Sequence, residues 1–370
     1  MRNGVRTGGG AGAVRLGARA PSGYGAGMIF SFDAFVTAAL FDKSGKAAFA
    51  LGDGTVRLET EDGYVTVEAH GGPMGGAALS AVIHPSGLGL ITGGDDGRVV
   101  WSRIENGEVI ATVLAELKGK WIEHVAASPS SGLFAFTAGR EAHVRDSADS
   151  AFGRVFTHEK TVSGLAFDPK GRRLATAAYG GAQLWWAKIA EQKPQVLKWA
   201  GSHIAVSFSP DGKFLVSSMQ ENQLHGWRLS DGKDMRMGGY PSKIKSMAFF
   251  DKGNLLVTAG ANGAVVWPFA GASGPMGKEA AEIGFSRDSM VVRVAGLDAS
   301  PVSFAGQDNG KIWAAHMRNG RIETLKAEKG ASISALSVSP DGQRLAWGDE
   351  DGEAGVIAIP DISGPRSFAG

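Results

Sequence analysis

The sequence predicts an all-β fold made of about eight four-stranded units closed into a ring. Three observations carry this expectation. Short apolar, β-branched runs alternate with turns containing Gly, Pro, Asn or Asp. The pattern recurs about every 40–45 residues, enough for four short strands. Glycine is in excess, at 55 of 370 residues, and it recurs at the turns, where the backbone needs φ values that other residues resist. Helical tandem repeats can share such a period. They need amphipathic segments of about 10–15 residues, whereas these runs are short and broken by Gly.

The turn between the first and second strands of each unit comes first. It reads Asp42-Lys43-Ser44-Gly45, His84-Pro85-Ser86-Gly87, Ser128-Pro129-Ser130-Ser131-Gly132 and Asp168-Pro169-Lys170-Gly171. It continues as Ser209-Pro210-Asp211-Gly212, Asp251-Lys252-Gly253, the degenerate Asp298-Ala299-Ser300-Pro301, and Ser339-Pro340-Asp341-Gly342. Pro presets φ, and Gly accepts a positive φ before the next strand. The second turns follow: Asp53-Gly54, Asp96-Gly97, Gly180-Gly181, Asn262-Gly263 and Asn309-Gly310. Asp-Gly and Asn-Gly favour the type I′ hairpin that suits paired antiparallel strands. Several third strands then close on a tryptophan, at Trp101, Trp185, Trp267 and Trp313. Weaker runs such as 64–69, 109–115 and 322–326 are natural outer, fourth strands.

These turns and strand-ending tryptophans resemble those of WD40-repeat proteins, the plainer bacterial ones especially, over about residues 28–361. The resemblance implies a WD40-like β-propeller. Eight apparent units argue for eight four-stranded blades. Seven is the alternative, if an end unit serves as a cap or the irregular stretch 280–316 divides differently. The chain departs from the family ideal in that Trp is not followed by Asp and the upstream Gly-His pair is largely absent. The family's structural hydrogen-bond tetrad maps best onto His70, Thr92, Asp96 and Trp101. Thr258, Asn262 and Trp267 form a partial copy, and Thr176 and Trp185 keep two members. Such a network satisfies buried polar groups and says little about function.

Residues 28–370 are expected to form one closed propeller, with the segment near 28–35 completing the last blade beside 355–359 and so hiding two open edges. Residues 1–27, rich in Gly, Ala and Arg, read as a disordered tail or as sequence upstream of a start at Met28. The glycine run 8–12 lacks the strand and helix that a phosphate-binding loop requires. A net charge of +1 gives no global argument for nucleic acid or a membrane surface. The absence of cysteine excludes a disulfide framework, a thiolate metal site and a cysteine nucleophile. No apolar run approaches the ~20 residues that span a bilayer. With no export signal, a cytoplasmic monomer is the default expectation.

No catalytic residue, cofactor or metal site is expected. The eight histidines are scattered without zinc-site spacing, and no Gly-x-Ser-x-Gly elbow supplies a serine nucleophile. The cluster Asp349-Glu350-Asp351-Gly352 lacks the alternating carboxylates and downstream Glu of an EF-hand, so it reads as a solvated turn. The leading function is a non-catalytic protein-interaction scaffold. The alternative is a small-molecule-binding or catalytic propeller using its central channel. The family topology runs each first strand downward from the upper face, and Lys120, Lys160 and Lys243 share one offset upstream of Ser128, Asp168 and Asp251. With Trp121, His203 and Tyr240 nearby, they outline a basic, aromatic upper rim suited to an acidic peptide or protein partner. Lys329 lies in a neighbouring connection, while Asp96, Glu141, Glu221 and Asp308 are expected on the same face.

Overall fold

A computed structural model describes residues 28–71 and 76–364, so the expectation for residues 1–27 lies outside the described residues. The chain forms antiparallel sheets in which sequential strands pair, starting from an innermost strand. The first sheet takes Val36–Phe41, Ala47–Leu51, Thr55–Thr60 and Gly63–Glu68 in that order. Two more follow the same plan. One is Ala78–Ile83, Leu90–Gly94, Arg98–Glu105 and Glu108–Glu116; the other is Val125–Ser128, Leu133–Ala138, Glu141–Asp146 and Gly153–Thr157. Past the middle of the chain come Met247–Phe250, Leu255–Thr258, Ala264–Pro268 and Ala281–Ile283, then Val291–Gly296, Val302–Gln307, Ile312–His316 and Ile322–Lys326.

The blade count corrects the expectation of eight. Counted as continuous sheets, the described strands make seven blades, six of four strands and one of six. The six-stranded sheet takes Gly164–Phe167, Arg173–Trp186, Gln195–Phe208, Phe214–Met219, Leu224–Arg228 and Asp234–Met237, and carries two of the sequence units. Two strands of 14 residues join them. The first reverses at Gly180 and Gly181, both at positive φ, which brings the Thr176 hydroxyl to the Gln183 carbonyl. The second pairs Leu197 with Ala182 and, further along, His203 with Met219. Tyr179 also pairs with Ser202, so the ladder, shifted in register between Tyr179 and Gly181, runs on from one unit into the other. The stretch 280–316 divides regularly, so the reduction does not arise there.

Closure follows the expected route. Ile333–Val338, Arg344–Asp349 and Glu353–Ala358 form the last sheet, and Met28–Ser31 adds its fourth strand, with Ile29 opposite Gly355. The two chain ends thus hide each other's edges. At the same seam the Ser334 hydroxyl donates to the Val36 carbonyl at 2.6 Å.

Second strands carry the core. Ala47–Leu51, Leu90–Gly94, Leu133–Ala138, Phe214–Met219 and Val302–Gln307 are buried at every residue, because each is covered on both faces by neighbouring sheets. Their near-continuous apolar runs are what such burial selects. Full burial of a residue such as Phe49, Phe136 or Phe304 contributes roughly 1.5–3 kcal/mol.

A recurring steric device sets how closely the units stack. A Cβ on Gly93 would stand 2.6 Å from Ile122 Cγ2, and one on Gly306 would stand 2.6 Å from Ile333 Cγ2. A Cβ on Gly348 would collide with the Val36 side chain across the closing seam. In each case a glycine late in a second strand makes room for the branched residue that enters the next unit. None of the three holds a positive φ, so space rather than backbone freedom requires Gly. Gly348→Ala is therefore expected to lower stability by about 1–3 kcal/mol, as overpacking does. A urea melt checks this, and an unchanged midpoint would show that the seam can relax.

Candidate partner-binding face

The predicted polar tetrad is assembled only in part. His70 Nε2 lies 2.8 Å from Thr92 Oγ1, and His70 Nδ1 lies 3.0 Å from Asp96 Oδ1. Burial pushes the His70 pKa down, although Asp96 opposes the shift. Burial would raise Asp96, but the Arg98 N–H and His70 outweigh it and hold that carboxyl below its ordinary value. Trp101 is not a member. Its indole donates to the Leu88 carbonyl at 2.9 Å, and its ring lies 3.8 Å from His84 in a stack, with the Arg103 guanidinium also at 3.8 Å. The reason is hairpin register. Thr92 pairs with Val100 and Ile91 with Trp101, so alternation turns Trp101 away from the face that carries Thr92.

Where the hairpin is one residue tighter, the tryptophan does join. Thr258 pairs with Val265 and Leu256 with Trp267, which puts Thr258 and Trp267 on one face. There Tyr240 stands where histidine stands elsewhere: its hydroxyl is 2.7 Å from Thr258 Oγ1 and accepts from Trp267 Nε1 at 2.7 Å. Asn262 is not part of this network, since its amide donates to the Ser286 and Ser289 carbonyls. In another unit His158 Nε2 is 2.8 Å from Thr176 Oγ1, to which Trp185 donates at 3.3 Å. His203 Nδ1 meets Ser217 Oγ at 2.7 Å, with its Nε2 3.1 Å from the Trp199 carbonyl.

His203 and Tyr240 therefore lie inside the blades rather than on the rim. Beyond His70 and Thr92, the missed pattern is a buried hydroxyl on the second strand facing His158, His203 or Tyr240. The varying distance of that ring upstream of its hydroxyl hides the pattern in the sequence.

The lysines are placed differently. Lys120, Lys160 and Lys243 each occupy a connection from an outermost strand to the next innermost strand. Lys120 and Lys160 are exposed and Lys243 is half-buried. Trp121, beside Lys120, is 63% exposed. Sequence reading missed further aromatics in the loops at that end of the strands. Phe285 is 62% exposed in an outer-to-inner connection, and Tyr179 is 65% exposed on the Gly180–Gly181 hairpin. Tyr179 also lines an open pocket of ≈ 330 Å³ with Gln183, Val196, Lys198 and Trp199. The only sequence signal for Tyr179 and Phe285 is an aromatic ring where a turn residue is usual. Among the described residues no group of three His, Asp or Glu side chains could hold a metal ion, and no helix is long and apolar enough to cross a membrane.

The family model described as WD domain, G-beta repeat matches residues 151–185. That span holds His158, Thr176 and Trp185, the unit in which the His, Thr and Trp side chains connect. This match and the β-propeller architecture together fit a WD40-repeat β-propeller family. A crystal structure of the computationally designed Ika8 protein is similar to this chain in fold, with a TM-score of 0.69 and 18% identity, covering 89% of this chain and 98% of that one. No curated protein matches. WD40 propellers are commonly protein-interaction scaffolds and usually non-enzymatic.

Two measurements test the buried polar network. Thr92→Val leaves His70 Nε2 buried without its partner and is expected to cost about 1–3 kcal/mol. Trp101→Phe should leave the His70 titration unchanged, and a perturbed His70 would put Trp101 back in the network.

A further measurement concerns two other buried histidines and acid. Burial holds His84 at about 4, with Arg103 lowering it further. Burial also holds His225 at about 4 against the opposing charge of Asp234, whose Oδ2 lies 3.4 Å from Nε2. The unfolded chain binds these protons first, near pH 6.5. Stability is thus fully present above about pH 6.5 and is lost as pH falls towards about 4. Urea midpoints should decline over that window and decline less in His225→Phe. A flat profile would contradict the assignment.

Proposed function

We propose that this WD40-repeat propeller is a non-catalytic protein-interaction scaffold whose upper face takes an acidic peptide segment of a partner protein. One observation carries the reading: Lys120, Lys160 and Lys243 fall in the same kind of connection on three units, with exposed Trp121 beside the first. A ring that desolvates on contact supplies an anchor, and the surrounding lysines speed encounter and orient the partner. Exposed Tyr179 and Phe285 extend the aromatic character of that face. Rigid strands beneath exposed loops suit such a role. The setting we propose is a cytoplasmic monomer, with residues 28–370 forming the closed unit.

The test is capture from native lysate by the intact protein and by a Lys120→Glu, Lys160→Glu, Lys243→Glu variant with an unchanged melting curve. The expected outcome is a saturable partner whose retention falls at least about tenfold in the variant, equivalent to about 1.4 kcal/mol, and weakens with salt in the wild type. A partner held equally by both proteins would remove the lysine rim from the proposal.

A further inference from the structure

The innermost strands carry one unexplained charge. Val36–Phe41, Ala78–Ile83, Val125–Ser128, Gly164–Phe167, Met247–Phe250 and Ile333–Val338 contain no Asp, Glu, Lys or Arg, and neither does the inner segment 203–208. Val291–Gly296 contains Arg293. At the matching place, two residues after the buried residue that enters the strand, the inner segments on either side carry Ser246 and Ala335, and the next one round carries Ala38. An arginine there is not a packing requirement of the repeat.

Its contacts place it on the inner wall of the ring. Arg293 Nε donates to the Ser334 carbonyl of the next innermost strand at 2.6 Å, and Nη1 donates to the Val292 carbonyl at 3.0 Å. Ser334 in turn donates to the Val36 carbonyl, and Thr37 donates to the Ala78 carbonyl at 2.9 Å. These bonds stitch successive inner strands around the central axis. A guanidinium offers five N–H donors, and the Arg293 side chain uses two of them on neutral carbonyls. No carboxylate forms an ion pair with it among the described residues; Glu350 contributes only at longer range. Burial pushes the Arg293 pKa below its ordinary value, yet the residue remains partly accessible.

A largely desolvated cation without a counter-ion is costly, and the cost is offset when an anion completes it. The spare N–H groups form the planar fork that grips two oxygens of one oxyanion. Low-dielectric walls around a positive charge strengthen its pull on an anion at such a point. We propose that Arg293 is the core of an anion-binding site on the channel wall, which takes one oxyanion group, a carboxylate or a phosphate. The site is separate from the lysine rim and stands whether or not the rim binds a partner.

The test follows the Arg293 Nε–Hε resonance of the full chain during separate titrations with inorganic phosphate and with acetate, paired with calorimetry on Arg293→Gln and Arg293→Lys. A saturable shift with either probe is expected, with binding lost in Arg293→Gln and at least tenfold weaker, but present, in Arg293→Lys. Saturation by phosphate alone identifies phosphate-bearing ligands; saturation by acetate extends the site to carboxylates. An unmoved resonance with both probes, or equal binding by Arg293→Gln, overturns the proposal. The wild-type titration decides even if a variant fails to fold.

Discussion

Each blade of this protein presents two apolar faces and has only its neighbours to cover them, so every unit depends on the ring being closed. The seam is therefore the position of greatest leverage. There Met28–Ser31 pairs with Glu353–Ala358, Ser334 bonds to the Val36 carbonyl, and Val36 fills the space above Gly348. Residues about 300 positions apart are joined at one place, as in the Ser334–Val36 bond with its sequence separation of 298. Contacts of such separation form only after a large loop-closure cost, which makes the ring cooperative as a whole.

Around that frame two repeated devices recur with local variation. Glycines at 93, 306 and 348 admit branched side chains from the next unit. Buried hydroxyls at Thr92, Thr176, Ser217 and Thr258 each meet a polar aromatic side chain. The partner changes from His to Tyr, and the tryptophan joins or turns away according to one residue of hairpin register. At these four positions what persists is a bonded buried hydroxyl, not a fixed set of four residues.

The same logic separates structural from functional polar groups. His203 and Tyr240 are accounted for by their buried partners, so they need no binding role. Lys120, Trp121 and Lys160 are exposed in connections whose conformation the fold does not require them to stabilise. Arg293 belongs to neither group, since its bonds go to carbonyls and no carboxylate among the described residues pairs with it directly.

By itself the sequence determined the β class, the turn positions, the repeat period and the pairing of the two chain ends, because local backbone chemistry and strand alternation are written in neighbouring residues. It also placed the three lysines in equivalent connections, because their offset from the turns is constant. Tertiary structure decided the seven-sheet count, since only the ladder through Tyr179 and Ser202 shows two sequence units continuing as one sheet. It alone turned Trp101 away from Thr92, buried His203 and Tyr240, and left Arg293 without an ion-paired carboxylate among the described residues. Those outcomes depend on cross-strand register and on neighbours more than a strand away, where a shift of one residue reverses the face on which a side chain lies.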